Sequence, residues 1–387
     1  MARLVMAGFE AGNTLAYGVD SVGSGSEITT NSPGYLALVT GSPTARNGSY
    51  CLKTNWVTGA GGGIFTGRYW EGYGKKAWSH AAKTELWYAF GFHPHPTDQY
   101  TPIPQNILFA TRDAASNVNV LVSLDGGLLR AYVATAGANT PHDANLTQIG
   151  GNVACASDTW HLLEIHVIAA TGATGTFELY IDGTLGFSVT SQRTAQTTAS
   201  MSSFELGYIQ TGAATWTNVN VSLSNQSFHA FDDVRVNDTT GSVNNGKPGD
   251  GAVLALIPNG VGTTLGGTAL TGVPSGPNWQ NVDERPASTS EYNAGTVVGT
   301  GETYALTDPP PSGCQAVNVI VQAFNSDAGG GSIGITTKTP AGTSEGTAQP
   351  ITSTPTYYSR LLDTDPADSA AWTLTKLNAL EAGITVR

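Results

Sequence analysis

Charged residues, cysteines and long apolar runs are all scarce in this chain of 387 residues. Only 12% of the residues are charged, which disfavours a protein built from charge-flanked amphipathic helices. The three cysteines, Cys51, Cys155 and Cys314, are odd in number and far apart. This spacing suggests neither a disulfide framework nor a zinc site, and it predicts buried free thiols. The sequence contains no run of about 20 apolar residues that could span a bilayer.

Positive charge is also scarce, and the net charge of −12 is spread over both halves of the chain. Such a surface does not attract nucleic acid or an anionic membrane, so we expect neither as a partner. The first residues, Met1 to Phe9, lack the apolar segment and the cleavage site of a signal peptide. We therefore expect synthesis in the cytoplasm without an export signal.

Glycine is abundant, with 48 residues, and it occurs among many Thr, Ser, Ala and Val residues. This composition is typical of short strands joined by tight turns. Up to about residue 240, apolar residues alternate with polar ones or form short runs bounded by turn residues, so we predict an all-β protein. The clearest predicted strands of this part are Glu85–Phe92, Asn117–Leu124, Leu128–Val133, Trp160–Ile168, Thr176–Ile181, Ser203–Ile209 and Phe228–Asn237.

Two segments predict β-hairpins with Asp-Gly at the turn. Asp125-Gly126 separates two apolar runs in the first segment, and Asp182-Gly183 does the same in the second. A two-residue type I′ turn needs positive φ at both central positions, which this dipeptide adopts at low cost. We therefore place Asp and Gly at the two central positions of both turns.

A polar segment at 237–250 contains almost nothing that could enter a core, so it marks a domain boundary. We predict a first domain at 1–240, a linker at 241–252 and a smaller β-rich domain at 253–387. A Gly/Thr-rich loop is expected between the first strand of the second domain and Trp279. The predicted strands of this domain are Val253–Ile257, Thr303–Leu306, Ala316–Phe324, Ser332–Thr337, Tyr357–Leu362 and Ile384–Arg387.

One helix is predicted, close to the C-terminus. Trp372, Leu377 and Leu380 fall near one face of a helical projection of residues 371–382. Gly383 suits the position just after the last helical turn, where a left-handed backbone conformation is common. The smaller β-rich domain should therefore carry one short C-terminal helix.

Three elements of the first domain together resemble the LamG-like, concanavalin A-type family. Their order and spacing across about 240 residues match the family, which implies a two-sheet jelly-roll sandwich. The alternation of apolar residues within the long strands agrees with this fold, because a sandwich strand buries one face and exposes the other. The elements are Gly8-Phe9-Glu10, Trp160–Glu164 with Phe177–Gly183, and Phe231–Val236.

The second domain resembles a module of tailed-phage virion proteins, in which a stretch like Asn278–Pro286 precedes a small β domain and a segment like Trp372–Gly383 ends it. The resemblance implies a virion structural protein on the particle surface, most concretely a capsid decoration or minor capsid protein. A tail-associated protein is the close alternative. The implied partners are the major capsid protein or tail proteins, together with further copies of this chain in a homo-oligomer.

Glu10 and the adjacent Asp232 and Asp233 form the sharpest candidate site. In jelly rolls that this chain resembles, the first and last strands lie side by side, so these carboxylates can meet. Ca²⁺ prefers several hard oxygen ligands, and two carboxylates with carbonyls and water would hold it as a structural ion. Neighbouring strand residues point to opposite faces, so only one aspartate should lie with Glu10. The alternative is a solvated carboxylate, a loop cap or a pair with Arg235 or Arg3.

Aromatic residues are concentrated around Tyr69, Trp70 and Tyr73, with Trp56, Trp78 and Trp87 nearby in the sequence. Sugar rings stack on exposed aromatic side chains, so this cluster is a candidate for binding a host surface glycan. Tyrosine and tryptophan also fill sandwich cores and subunit interfaces, and this second interpretation is the one that we favour. Trp70→Ala would serve as the control in a glycan-binding experiment.

Candidate catalytic or metal-binding groups are few. His93 and His95 have the spacing of two ligands on an extended segment, but the flanking prolines indicate a loop and no third ligand is evident. Glu164 and His166 share one face of a strand whose residues should support packing. The paired-carboxylate pattern of retaining glycosidases on this type of fold, the nucleophile elbow, the Walker loop and the HExxH motif are all absent.

We therefore predict a non-enzymatic virion structural protein that works by burying surface at subunit junctions. A carbohydrate-binding adhesin or receptor-binding module is the second hypothesis, and a glycan hydrolase is the third. Electron microscopy of particles with and without the protein would test the first, and a glycan array would test the second.

Overall fold

The computed structural model describes residues 3–13, 19–23, 36–41, 43–57, 72–94, 107–134, 146–207, 227–311, 313–326 and 330–387, and for 19–23, 36–37, 55–57, 72–74 and 227–228 it describes the backbone alone. These residues form two β units. The first unit contains fifteen strands joined in one sheet. Its strands are β1 Arg3–Ala7, β2 Val19–Gly23, β3 Leu36–Val39, β4 Cys51–Val57, β5 Gly72–Lys83, β6 Glu85–Pro94, β7 Ile107–Arg112, β8 Val118–Asp125, β9 Leu128–Ala134, β10 Leu146–Ala154, β11 His161–Ile168, β12 Gly175–Ile181, β13 Thr184–Gln192, β14 Met201–Gly207 and β15 Ser227–Asp238.

The sheet of the first unit folds over on itself into two layers. Its main path runs β10-β9-β8-β7-β14-β5-β4-β15-β6-β11-β12-β13, and β1, β2 and β3 pair with β15, β5 and β4. Strands β6 and β7 are separated by four strands along this path, yet Tyr88 and Phe109 lie with their ring centroids only 5.0 Å apart. The two ends of the path also meet, since a Cβ on Gly150 of β10 would lie 2.1 Å from Phe187 of β13. The layers therefore enclose one core.

Aromatic side chains dominate that core. Burial of each large apolar side chain stabilises the fold by about 1.5–3 kcal/mol, and one contiguous cluster holds most of them. Trp78 stacks on Phe204 at 4.8 Å, which places it in the core and not on a binding surface. The largest fully buried apolar side chains are Tyr88, Phe9, Phe90, Phe92, Phe109, Phe177, Phe204, Phe231, Leu52 and Leu86.

The two predicted hairpins are present, but their turns differ. Asp182 and Gly183 occupy the central positions of the β12–β13 turn with φ of 50° and 78°, as the sequence predicts. In the β8–β9 hairpin, Asp125 pairs with Leu128, so Gly126 and Gly127 are the central residues with φ of 58° and 76°. The prediction of Asp125 at the turn was therefore wrong by one residue, because a second glycine adopts positive φ more readily than aspartate.

The second unit is smaller and consists of three sheets and short helical turns. Its six-stranded sheet has the order β16-β19-β25-β21-β22 with β23 on β21, and two-stranded sheets pair β17 with β18 and β20 with β24. A 3₁₀ turn covers Asn278–Asn281. The strands and helix are β16 Pro258–Leu265, β17 Thr271–Val273, β18 Tyr292–Ala294, β19 Gly301–Leu306, β20 Val317–Ala323, β21 Gly331–Thr339, β22 Gly342–Glu345, β23 Gln349–Ile351, β24 Thr356–Leu362, α1 Leu374–Asn378 and β25 Glu381–Val386.

Two expectations for the second unit are corrected by its strands. Residues 253–257 form no strand, and β16 instead begins at Pro258 in the stretch expected to be a loop. The helix is only the five residues of α1, and Gly383 lies inside β25. A Cβ on Gly383 would lie 1.9 Å from the Glu302 carbonyl oxygen, so glycine permits close pairing with β19. Trp372, Leu377 and Leu380 do pack together, with Leu362.

The architecture confirms the prediction of an all-β protein with a jelly-roll type sandwich, a smaller β-rich part and one short C-terminal helix. The three cysteines are free, with Cys51 and Cys155 buried, and burial raises the pKa of both buried thiols to about 12. None of the helices among the residues described has the length and hydrophobicity required to cross a membrane.

Candidate functional site

Glu10 binds backbone N–H groups of the loop that precedes β4. Its Oε1 accepts hydrogen bonds from Ser49 N at 2.7 Å and Tyr50 N at 2.9 Å. Its Oε2 accepts from Arg285 Nη1 of the second unit at 3.1 Å. A Cβ on Gly48 would lie 2.3 Å from Glu10 Oε1, so glycine is needed where the loop closes over this carboxylate. Glu10 therefore fixes a loop and an interface between the two β units.

Asp232 and Asp233 bind the same loop, three residues earlier. Asp232 Oδ2 accepts from the backbone N of Arg46 at 3.0 Å and of Asn47 at 3.2 Å. Asp233 Oδ2 accepts from Arg46 Nη1 at 3.0 Å and Asn47 Nδ2 at 2.6 Å. The prediction that the two carboxylates point to opposite faces was wrong, because a bulge in β15 puts Asp233 at φ 51°. Both carboxylates consequently reach residues 46–47.

The sequence predicts that these three carboxylates meet and bind calcium. In the structure they accept hydrogen bonds from N–H donors instead. Among the residues that the structure describes, no group of three or more His, Cys, Asp or Glu side chains is arranged to hold a metal ion. Burial and the Asp233 carboxylate raise the pKa of Asp232 to about 8, although N–H donors of Asn47, Asp233 and Arg46 oppose this. These oxygens do not present the ligand set that Ca²⁺ prefers, and calcium here stays a prediction.

The other candidates from the sequence are dispersed. Tyr69, Trp70 and His95 lie outside the described residues, and only the backbone of Tyr73 is described, in β5. His93 is buried, with its ring in an edge contact with Trp160 at 5.3 Å. The glycan patch proposed at Tyr69, Trp70 and Tyr73 therefore stays a prediction.

A different row of polar and aromatic side chains crosses the outer face of β6, β11 and β12. His166 stacks on Trp87 with ring centroids 4.1 Å apart, and its two ring nitrogens face Glu85 at 3.0 Å and Glu178 at 3.1 Å. Tyr180 follows Glu178 on β12, and its ring lies 6.0 Å from that of Trp87. The alternation of β11 predicts that Glu164 and His166 share a face, and the structure adds the neighbours that make this face chemically distinctive.

A cleft lies beside this row, where three parts of the chain meet. Its volume is about 380 Å³. The parts are the loop before β4, strand β11 together with the β12–β13 turn, and the connecting segment, which we define as residues 241–252. The lining residues are Arg46, Leu162, Glu164, Asp182, Gly183, Lys247, Gly249 and Asp250. Five of these eight residues carry a charge, and the apolar parts of the side chains line the rest of the cleft.

The walls of the cleft are held by specific hydrogen bonds. Asp182 accepts from Leu162 N at 2.9 Å through one oxygen and lies 2.7 Å from His161 Nδ1 through the other. Arg46 pairs with Asp250 at 2.5 Å and with Asp233. Glu164 is fully buried, and its Oε1 accepts from Gly249 N at 2.8 Å. These contacts give the cleft a fixed shape.

Lys247 closes one side of the cleft. Its ammonium nitrogen lies 3.8 Å from the centroid of the Tyr180 ring, 3.1 Å from Glu164 Oε2 and 3.5 Å from the Gly183 carbonyl oxygen. Sequence reasoning missed this residue, because it assigned the polar segment to a linker. A lone lysine among Asn, Gly and Pro gives no pattern from which a partner more than 60 residues away could be read.

Comparisons with solved structures find other β proteins at low similarity. An endo-β-1,4-glucuronan lyase from the fungus Trichoderma reesei is 17% identical, with a TM-score of 0.41 over 57% of this chain and 94% of the lyase. The alginate lyase Aly36B is 10% identical, with a TM-score of 0.35 over 50% of this chain and 82% of that one. The binding domain of botulinum neurotoxin DC, solved in complex with SialylT, is 10% identical, with a TM-score of 0.35 over 61% and 47% of the two chains.

No protein-family model matches the chain, and no curated protein matches it by sequence. The structural matches nevertheless overturn one prediction. The absence of catalytic motifs had predicted a non-enzymatic protein, yet two of the three matched structures described above are polysaccharide lyases. That prediction was wrong, since the motifs considered do not cover lyase chemistry. All three TM-scores are below 0.5, so no activity, substrate or ligand of these proteins is transferred to this chain.

Proposed function

We propose that this chain is a carbohydrate-binding protein of the adhesin type and that the cleft beside Tyr180 holds the glycan. The observation that carries the proposal is the composition of the cleft walls. Asp182 and Asp250 present carboxylate oxygens, Arg46 and Lys247 present N–H donors, and all four lie around one volume of about 380 Å³. Sugar hydroxyls donate and accept at once, so they are suited to walls on which both kinds of group alternate.

The aromatic row next to the cleft supplies the apolar contact that sugar rings require. Trp87 and Tyr180 are both partly exposed on the outer sheet face. Aromatic rings with a polar edge bind amphipathic ligands because they combine contact area with a hydrogen-bonding group. A volume of about 380 Å³ lies at the lower end of the range for small-molecule sites and is suited to one or two sugar rings.

The test is a glycan array followed by calorimetric titration of the full chain with the best glycan. Asp182→Asn should weaken binding about tenfold, because it removes the negative charge and replaces one of the two acceptor oxygens in the cleft wall by an N–H donor. Asp158→Asn is the matched control. Asp158 also has positive φ, at 57°, lies 3.9 Å from a histidine, His93, and is exposed, but it does not line the cleft.

A glycan that binds the wild-type chain and the Asp158→Asn variant equally, but binds Asp182→Asn more weakly, supports the proposal. An array without any signal refutes it. Binding that Asp182→Asn leaves unchanged also refutes it, because the glycan then occupies another surface.

We further propose that the protein displays this site on a virus particle, as a capsid decoration, minor capsid or tail-associated protein in contact with other virion proteins. The support for this location is the resemblance of Asn278–Pro286 and Trp372–Gly383 to a tailed-phage module. Electron microscopy of particles with and without the protein tests it. The location is supported if particles made without the protein lose a surface feature. It is contradicted if particles made with the protein contain no copy of it and look the same as those made without it.

A further inference from the structure

The ammonium group of Lys247 occupies a complete cation site within the cleft. An aromatic face, a carboxylate oxygen and a carbonyl oxygen surround it, from Tyr180, Glu164 and Gly183. Cation–π contact together with a charged oxygen is a common arrangement for recognising ammonium groups. Glu164 and Tyr180 belong to the paired strands β11 and β12 and Gly183 to the β12–β13 turn, whereas Lys247 belongs to the connecting segment. Strands β11 and β12 with this turn therefore form the site, and the segment supplies its occupant.

Glu164 shows that the site needs a cation. Its side chain is 1% exposed, and a buried carboxylate without a compensating charge is strongly unfavourable. One oxygen accepts from Gly249 N, whereas Oε2 accepts no hydrogen bond from the residues that the structure describes and is compensated by the Lys247 charge at 3.1 Å. Buried Arg235 is a second cation that interacts with Glu164, so Lys247 supplies part of the compensation. The ion pair with Lys247 therefore leaves Glu164 Oε2 as a buried acceptor in the cleft wall that accepts no hydrogen bond from the described residues.

The Lys247 side chain can leave without unfolding the segment that carries it. The backbone is held on both sides of this residue, by Asn237 Nδ2 on the Gly246 carbonyl at 2.9 Å and by Glu164 on Gly249 N at 2.8 Å. The Lys247 side chain itself is 31% exposed, and its long stem can reach solvent. Exchange of its ammonium for another therefore needs only a rotamer change.

The charges around the cleft select the ligand. Glu164, Asp182 and Asp250 outnumber Arg46 and Lys247 among the lining residues, and Glu85 and Glu178 lie along the adjoining row. This field attracts a cation and disfavours an anionic sugar. A ligand ammonium that displaces Lys247 restores the compensation of Glu164, and it can also make the hydrogen bond that Lys247 does not.

We propose that the cleft recognises a glycan with a free amino group, a glucosamine-type sugar whose ammonium replaces Lys247 between Tyr180 and Glu164. This inference rests on the proposed carbohydrate-binding function and names its ligand class. Acetylation of the amine removes the charge, so the N-acetylated sugar loses this contact. Lys247 acts as an intramolecular competitor that keeps Glu164 compensated when the ligand is absent.

The variant Lys247→Met tests the proposal in the full chain. Because the competitor is gone, a glucosamine tetramer should bind it about tenfold more tightly than it binds the wild-type chain, at a pH where the sugar amine is protonated. The N-acetylated tetramer should show no such gain. Lys338→Met is the matched control, since Lys338 also pairs with a carboxylate, Glu381 at 3.0 Å, and is 37% exposed but lies outside the cleft.

A second measurement does not depend on sugar binding. Lys247→Met should melt at a lower temperature than the wild-type chain, and methylammonium chloride should restore part of the loss, whereas the same concentration of sodium chloride should not. In Lys247→Met combined with Glu164→Gln the methylammonium effect should disappear, because the neutral amide needs no cation.

The two measurements separate the two proposals. Rescue by methylammonium without binding of any glycan supports the cation site and refutes the carbohydrate function. Glycan binding that is sensitive to Asp182→Asn but equal for the amino and N-acetylated tetramers in Lys247→Met overturns the amine preference and leaves the carbohydrate function standing. Absence of methylammonium rescue in Lys247→Met overturns the cation site.

Discussion

Arg285 donates from Nη1 to Glu10 Oε2 at 3.1 Å and to the Glu10 carbonyl oxygen at 3.3 Å. Through this contact, a carboxylate of the first β unit is shared between its own loop and the second unit. Two other contacts reinforce the junction, since Arg3 Nη2 of the first unit donates to Gln315 Oε1 at 2.9 Å and Asn244 Nδ2 of the connecting segment donates to Asp363 Oδ1 at 2.9 Å. The two units are therefore docked by polar contacts in addition to the chain that connects them.

The Glu10–Arg285 pair should couple in a double-mutant cycle with Glu10→Gln and Arg285→Met. Glu10→Gln alone should lower the free energy of unfolding by about 2 kcal/mol, because it weakens the acceptor for two backbone N–H groups. The coupling energy should be about 1 kcal/mol, since Arg285 is 29% exposed and the pair is partly screened. Urea unfolding of the full chain measures both. A coupling energy of zero would show that the junction does not depend on this pair.

Chelation tests calcium at Glu10, Asp232 and Asp233. Because N–H donors already satisfy these carboxylates, we expect excess EDTA to leave the melting temperature of the full chain unchanged. Added CaCl₂ should likewise have no effect, since a ligand that binds only the folded state would raise the melting temperature. A melting temperature that falls in EDTA and recovers with calcium would instead establish the ion that the sequence predicts.

Stability should decrease as the pH rises through the titration of Asp232. Burial, reinforced by the Asp233 carboxylate, raises the pKa of this side chain from 3.8 to about 8. Between these values the folded state holds a proton that the unfolded state has released, so the contribution is complete below pH 3.8 and is lost as the pH approaches 8. Unfolding free energies at pH 5 and pH 8 measure the change.

Asp232→Asn is the control for this pH dependence. The amide does not titrate, so the variant should lose less stability between pH 5 and pH 8 than the wild-type chain, whatever its stability at pH 5. Equal losses in the two proteins would mean that Asp232 is already ionised at pH 5.

Gly383→Ala should destabilise the second unit by about 2 kcal/mol or more, because the new Cβ would overlap the Glu302 carbonyl oxygen at 1.9 Å. Gly313→Ala is the matched control, since a Cβ at that position meets no atom of the described residues within 4 Å. Thermal unfolding of both variants measures the difference. If Gly383 were the residue after a helix, as the sequence predicts, Gly383→Ala would lower the free energy of unfolding only by the cost of placing alanine in a left-handed backbone conformation. Strand β25 would then be unaffected.

The strands of the first unit could be predicted because their information is local. Alternation of apolar residues places β6, β8, β9, β11 and β12 within one or two residues of their observed bounds, and it also places Glu164 and His166 on one face. The second unit was harder to predict, since β16 and β25 contain glycines and threonines whose strand conformation comes from pairing with β19. Gly383 resembles a helix end by composition, and only its approach to Glu302 shows that it is a strand residue.

The candidate site was predictable only in part, for a different reason. The order of the first and last strands brought Glu10 near Asp232 and Asp233, but the bulge that turns both aspartates to one loop depends on the positive φ of Asp233. The local sequence does not predict this unfavourable backbone conformation. It is stabilised by contacts of Asp233 with residues distant in sequence, Arg46, Asn47 and Val253.

The sequence by itself, through its scarcity of charge, abundance of glycine and alternation of apolar residues, determined an all-β chain with free cysteines. Only the tertiary structure decided what the polar residues do, because hydrogen bonds and ion pairs join residues far apart in the chain. Lys247 and Tyr180 are 67 residues apart in sequence, yet the ammonium lies 3.8 Å from the ring. Hydrophobic periodicity reports which face of a strand is buried, whereas the partner of a charge is set by where the folded chain brings it.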